Sequence, residues 1–450
     1  MRERREGAPH VRRIVVALVC VLLTTTTLSP ALAAATPAPP DTPAGRQVAW
    51  VIDVSHRLPM TAAEAAQHIA PPVLAAIGID GLNAALASVV GTGLTFVSAT
   101  GTTDTVTAVV TVAPGGSTWL LDLAVDGTGL IAGIRFRRPA PRSFKELNAR
   151  LKALAPDVSF LTAELDHGRC EPIDTVAASQ PRPLGSAFKL YVLGTLAHAI
   201  DEKEASWSQT LAIHEEWKSF PSGDLQNLPA GTLLTLGTYA DKMISISDNT
   251  AADHLIHFLG RDMVEEQLRR FGMARPRADE PFLTTRELFQ LKLNNFPSLA
   301  DAYTGLDRGD RLDYLTQQID PLPLPPLGPW TQPRAIDSIE WFGSPSDICR
   351  AYAGLQGQAK DPALSGVDHA LSINDGGIGL DRQQWSRVWF KGGSEPGVLT
   401  LNYLATTTDG RTFVVSAMVS NPVTAFDETY AAVEGIALVN GAFSLAAAAR

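Results

Sequence analysis

A chain of 450 residues is longer than one typical core requires, and 45% hydrophobic with 19% charged residues excludes a disordered or fibrous protein. A formal net charge of −10 argues against nucleic acid or an anionic lipid surface as the main partner. With three cysteines, no Cys-x-x-Cys and no His-Glu-x-x-His, nothing in the sequence implies zinc, and no metal or organic cofactor is expected.

Residues 1–33 have the layout of a cleaved secretory signal peptide. Arg2, Arg4, Arg5, Arg12 and Arg13 precede an apolar run from Ile14 to Leu23, and Ala31-Leu32-Ala33 offers a peptidase site. The run is too short to span a bilayer. Arg12-Arg13 hints at twin-arginine export, while Cys20 lies in the run without a lipoprotein box. Cleavage removes five arginines and two glutamates, which takes the net charge from −10 to −13. The mature chain is therefore expected outside the cytoplasm, a location compatible with association with the cell envelope. Cys170 and Cys349 remain there, as a disulfide or as two thiols, since sequence carries no distance.

Residues 34–46, rich in Ala, Thr and Pro, read as a flexible leader. Residues 47–138 read as a small α+β domain. Helical patterns cover Thr61–Ile69 and Gly81–Val90. Strand alternation follows over Leu94–Val97, Thr105–Val112, Thr118–Val125 and Leu130–Phe136, with a hairpin turn at Asp126-Gly127-Thr128-Gly129. This region shows no catalytic constellation. Residues 139–142 form a linker, and residues 143–450 a second α+β domain. In that domain Ser143 opens an amphipathic helix, Phe160–Leu165 is a strand, and the middle is helical. Strands recur at Val388–Phe390, Leu399–Thr406 and Thr412–Val419 before a helix at Asp427–Leu438. Strands at both ends of a helical block predict one sheet closed by distant segments. Asp253-His254 and His257, at helical spacing, read as structural.

Pro183-Leu184-Gly185-Ser186-Ala187-Phe188-Lys189 reads as a tight turn that delivers a serine to an apolar helix running to Ile200. Ser186 and Lys189 share one helix face. Burial depresses a lysine's pKa toward that of a general base, and a neutral amine is one means of activating a serine hydroxyl. Taken alone, Ser-x-x-Lys is short and common and reads more readily as a helix cap beside a solvent-seeking lysine.

Two further segments change that reading: Ser247-Asp248-Asn249, and Lys391-Gly392-Gly393-Ser394 before the last strands. The ordered set Ser-x-x-Lys, Ser-Asp-Asn and a variant of Lys-Thr-Gly resembles the class A β-lactamases and penicillin-binding proteins, over about residues 143–450. The resemblance implies a β-lactamase/transpeptidase-like fold, an antiparallel sheet with a helical subdomain, and a role for each matched residue. Ser186 would be the acyl-accepting nucleophile and Lys189 its base or proton shuttle. Ser247 would relay a proton, and Lys391 would lower its pKa and attract a substrate carboxylate. Asn249 would bond Lys189 or the substrate amide. The backbone N–H groups of Ser186 and Ser394, the latter after Gly393, would form the oxyanion hole. Asp248 reads as a buried turn residue.

Two departures stand out. Gly392 replaces threonine, and the loop that carries the deacylating glutamate is not cleanly present. Glu280-Pro281-Phe282-Leu283-Thr284 is its best match, which makes Glu280 the candidate base, with Glu340 a weaker rival. Between Ser247 and Lys391 lie more residues than a compact lactamase needs. The excess, about Thr284 to Ser344, contains Pro321, Pro323, Pro325, Pro326 and Pro329 and predicts a long, partly rigid excursion. The two-domain layout further resembles secreted actinobacterial β-lactamase-like proteins with a small cystatin- or NTF2-type, isomerase-like domain in front, as encoded with clavulanic acid biosynthesis. The resemblance implies a monomeric hydrolase acting on a small anionic acyl substrate, with β-lactams the leading class. A D-alanyl-D-alanine peptidase or esterase, or a β-lactam-binding sensor that acylates once, would use the same residues.

Overall fold

In a computed structural model the described residues are 37–449, except residue 114 and residues 325–329. The targeting segment at residues 1–33 with Cys20, the first leader residues, and Pro325, Pro326 and Pro329 lie outside the described residues.

Helix α1, Pro43–Ser55, begins inside the segment read as a leader. Thr42 accepts the Gly45 N–H at 3.1 Å, Pro43 occupies the first helical position, and Ala44, Val48, Val51 and Val54 are buried. A Thr-Pro pair thus starts a core helix where composition alone suggested a tether. After α2 (Ala62–His68) comes α3 (Pro71–Val90), long and apolar but interrupted at Gly78, whose φ is +73°. Four strands, β1 (Leu94–Gly101), β2 (Thr105–Val112), β3 (Ser117–Val125) and β4 (Ile131–Arg137), pair antiparallel in chain order. In β2 the period of two is clean: Val106, Ala108, Val110 and Val112 turn inward onto α1 and α3. The β3–β4 hairpin closes where Asp126 accepts the N–H groups of Thr128 and Leu130.

The second region opens with α4, Phe144–Lys152, capped by Ser143. Its sheet gathers β5 (Asp157–Asp166), β6 (Arg169–Val176), β7 (Trp385–Glu395), β8 (Val398–Thr407) and β9 (Thr412–Ser420) in the order β7-β8-β9-β5-β6, all antiparallel. Distant segments do close the sheet. Every residue of β9 is buried because both faces are covered. Val414 and Met418 point into the helical block, while Phe413 and Val415 face α4 and the final helix α11, Glu428–Ala448.

The helical block contains α5 (Lys189–Asp201), α6 (Leu236–Ser245), α7 (Asn249–Leu259), α8 (Arg261–Arg270), α9 (Thr285–Leu293) and α10 (Pro345–Gln358). Helix α5 is apolar all round because it runs through this core. A disulfide joins Cys170 on β6 to Cys349 on α10. The excursion after Thr284 is more ordered than its prolines suggest. It holds α9 and two short helices, Ser298–Thr304 and Arg308–Tyr314, and returns at Phe342–Gly343, which pair with Arg182–Pro183 just before Ser186.

Candidate active site

A 3₁₀ turn over Gly185–Phe188 leads straight into α5 and sets Ser186 at the helix start. Its entry is fixed from both sides: Leu184 donates its N–H to the Trp341 carbonyl at 2.8 Å, and the Thr400 hydroxyl donates to the Leu184 carbonyl at 3.0 Å. Gly185 has φ +48°, and a Cβ there would lie 3.0 Å from the Ser394 nitrogen. A Cβ on Gly393 would lie 2.6 Å from the Ser186 nitrogen. Glycine at both positions lets the two proposed oxyanion donors, Ser186 N–H and Ser394 N–H, approach across the gap between turn and strand.

Lys189 is fully buried. Its Nζ lies 2.6 Å from the Ser247 carbonyl, 2.6 Å from Asn249 Oδ1, and 3.2 Å from the hydroxyls of both Ser186 and Ser247. The carbonyl and the amide oxygen can only accept. A neutral amine spends its two N–H groups on them and leaves its lone pair for a hydroxyl proton. Burial, and then the charge of Lys391, hold Lys189 well below the ordinary lysine range. The geometry and the electrostatics both favour a base.

Ser247 occupies the left-handed region, φ +58°, which is rare for a residue with a side chain and typical of functional sites. Asp248 makes this turn possible: buried, it caps α7 through the Ala251 N–H and accepts the Asp224 and Leu225 N–H groups. Lys391 donates to Ser247 Oγ at 3.0 Å and to the Gly392 carbonyl at 2.7 Å, and burial depresses its pKa to about 7. Its own carbonyl is anchored by Asn402 Nδ2 at 3.1 Å. Asn249 is committed at both ends, Oδ1 to Lys189 and Nδ2 to the Phe220 carbonyl at 3.1 Å. Of its two expected roles, holding Lys189 is the one it performs here.

Gly392 has a steric reason. A Cβ there would lie 2.8 Å from Phe390 Cζ and 3.0 Å from the Thr400 carbonyl, so the Phe390 ring takes the space a threonine would need.

Glu280 is displaced from its expected role. It is buried, its carboxylate pairs with Arg269 and Arg308, and it lines neither cavity beside Ser186. The Glu-x-x-Leu-Thr match serves local structure instead, since Thr284 and Glu287 form the capping box that starts α9. Glu340 is the carboxylate brought to the nucleophile. Its Oε2 accepts the Gly185 and Trp341 N–H groups, each at 3.1 Å. Sequence reasoning missed two neighbours, Lys292 on α9 and Glu395 on β7, whose Nζ and Oε1 are 2.5 Å apart. The available signal was the strand alternation that puts Lys391, Gly393 and Glu395 on one face. Asp253 and His254 are structural: Asp253 accepts the first N–H groups of α9, and His254 accepts the His214 N–H.

Residues 142–310 match the family model described as the β-lactamase enzyme family, and residues 39–131 match the model described as the ORF 12 gene product N-terminal. No curated protein matches the chain. Similar solved structures include a β-lactamase from Sphaerobacter thermophilus DSM 20745, 20% identical over 68% of this chain and 97% of its own, with a TM-score of 0.48. A β-lactamase from Chitinophaga pinensis DSM 2588 is 17% identical over 68% and 98%, with a TM-score of 0.46. PBP-A is 16% identical over 68% and 99%, with a TM-score of 0.45. These overlaps carry no argument of their own; what the comparisons give is that residues 142–310, which hold Ser186, Lys189, Ser247 and Asn249, are similar to the β-lactamase enzyme family.

Proposed function

We propose that the mature chain is a secreted serine hydrolase that forms an acyl-enzyme on Ser186 with small amides or esters, β-lactams being the leading class. The observation that carries this reading is the contact chain Ser186 Oγ, Lys189 Nζ, Ser247 Oγ, Lys391 Nζ, with successive separations of 3.2, 3.2 and 3.0 Å. Lys189 takes the Ser186 proton as Oγ bonds to the substrate carbonyl carbon. The oxygen that gains charge faces the Ser186 and Ser394 N–H groups, and Ser247 passes a proton to the departing nitrogen or oxygen. Lys391 bonds Ser247 and offers a positive charge to a substrate carboxylate.

A second reading is favoured by the position of Glu280. With that carboxylate held by two arginines, water attack on the acyl-enzyme lacks the expected base, which favours a long-lived adduct or a readily hydrolysed ester over fast lactam turnover. A penicillin, a p-nitrophenyl ester and a D-alanyl-D-alanine peptide, assayed side by side, separate the three activities. Turnover of at least one that is lost in Ser186→Ala is expected. Turnover that survives in Ser186→Ala would overturn the proposal.

A further inference from the structure

Two cavities meet at Ser186, and they are opposite in charge. One, of about 380 Å³, carries Glu340, Glu395 and Glu428 on its wall and no cationic side chain among the described residues. The other, of about 330 Å³, carries Lys391 and no carboxylate among the described residues. Ser186 and Ser394 line both. The polarity is written along β7. Lys391 and Glu395 face inward two positions to either side of Gly393, which lies against the nucleophile, so their Cα atoms are on the order of 13 Å apart along the strand.

The acidic wall is short of positive charge. Behind it, Lys292 Nζ lies 2.5 Å from Glu395 Oε1 and 3.7 Å from Glu340 Oε1, so one ammonium serves two carboxylates. Glu340 spends Oε2 on backbone N–H groups, whereas Glu395 Oε2 is buried with no hydrogen-bond partner among the described residues. Burial, opposed by Lys292 and assisted by Glu340, raises the proton affinity of Glu395 well above the usual carboxylate range; burial also raises that of Glu428. Arg334 reaches the Lys292 carbonyl and lies over Phe296, outside the lining. The remaining wall is largely apolar and aromatic, including Phe188, Phe289, Trp330 and Trp341, which suits an organic cation.

We propose that the cavity beside Glu395 is a subsite for a positively charged amine on the acyl portion of the substrate, so that the preferred substrate is zwitterionic. Its ammonium lies at Glu395, its carboxylate at Lys391, and the reacting carbonyl between them over Ser186. This rests on the reading of Ser186 as the nucleophile and names the substrate class for that site. A bound ammonium supplies the charge that Lys292 cannot give to both carboxylates at once. The competing resolution, a proton on Glu395, is what a neutral ligand leaves in place.

The test is binding to Ser186→Ala, which removes chemistry from the measurement. Calorimetry at pH 6.5 compares phenylglycyl-alanine with phenylacetyl-alanine, in each stereoisomer; the two ligands share carboxylate, amide and ring and differ by the ammonium. The ammonium ligand of at least one stereoisomer is expected to bind about tenfold tighter or more, and this preference should fall to about twofold or less when Glu395→Gln is added. Equal affinity, no detectable binding of either ligand, or a preference unchanged by Glu395→Gln would overturn the proposal. The first comparison needs no change at Glu395, so it stands if that variant does not fold. Failure of Ser186 to acylate in the unaltered protein is a separate result, which removes the enzymatic reading and leaves the binding comparison interpretable.

Discussion

At the scale of single residues, two lysines lie within reach of one serine hydroxyl. Lys189 and Lys391 are both buried, and both flank Ser247 Oγ; burial lowers the pKa of each, and the charge of Lys391 lowers that of Lys189 further. Lys391 loses its proton near pH 7 in the folded chain, whereas an unfolded lysine keeps it to about 10.5. Between those values the unfolded chain binds the extra proton, so the contribution of Lys391 to stability rises with pH across that window. Urea unfolding at pH 7 and pH 9 should show greater stability at pH 9, and Lys391→Met should reduce the gain; an equal gain in the variant would contradict the assignment. The same titration predicts that KM for a carboxylate-bearing substrate rises as pH passes upward through about 7, while KM for a neutral ester changes little. These residues were legible in the sequence because each belongs to a short motif whose chemistry demands its type. Glu280 was misread because Glu-x-x-Leu-Thr is also how a capped helix begins, and only the fold shows Arg269 and Arg308 closing on it. Lys292 and Glu395 were invisible as a pair, since 103 positions separate them.

At the scale of elements, strand β7 carries the third motif and orders the site. Its alternation sends Lys391, Gly393 and Glu395 inward, and its neighbour Phe390 excludes a side chain at Gly392. Gly392→Thr, which restores the more familiar motif, should therefore destabilise the protein by about 1–3 kcal/mol through overpacking. Adding Phe390→Ala should recover part of that loss relative to Phe390→Ala alone, as a double-mutant cycle in denaturant would show. Purely additive effects would contradict the steric account. The strands themselves were legible from their period-two pattern. The order inside the excursion was not, because composition displays its prolines while the pairing of Phe342–Gly343 with Arg182–Pro183 joins segments far apart in the chain.

At the scale of the whole molecule, long-range links hold the site-bearing segments together. Glu434 on α11 accepts from Arg138, which directly follows β4, and from Arg150 on α4, each at 2.7 Å. Burial opposes its ionisation, but the hydrogen bonds from Arg150 and Arg138 outweigh that and hold its pKa below the ordinary range. Glu434→Ala leaves two arginines facing each other and should cost about 3 kcal/mol. The Cys170–Cys349 link closes a loop of 179 positions that contains Ser186 and Ser247. Replacing both cysteines by serine should lower stability by about 2–5 kcal/mol, read by denaturant unfolding; a loss under 1 kcal/mol would show that packing alone holds β6 to α10. Neither link was readable beforehand: the cysteines had no measurable distance, and Glu434 lies in a helix whose apolar sequence gave no hint of a partner 296 positions away.

The account stands or falls on Ser186 as the residue that takes the acyl group. Intact-mass spectrometry of the protein mixed with a chromogenic cephalosporin, followed by peptide mapping of any adduct, addresses this directly. The expected result is a mass increase of one acyl group on the peptide that contains Ser186, slow to decay because Glu280 is out of reach, and absent in Ser186→Ala. An adduct on any other residue, or an unchanged adduct in Ser186→Ala, would contradict it.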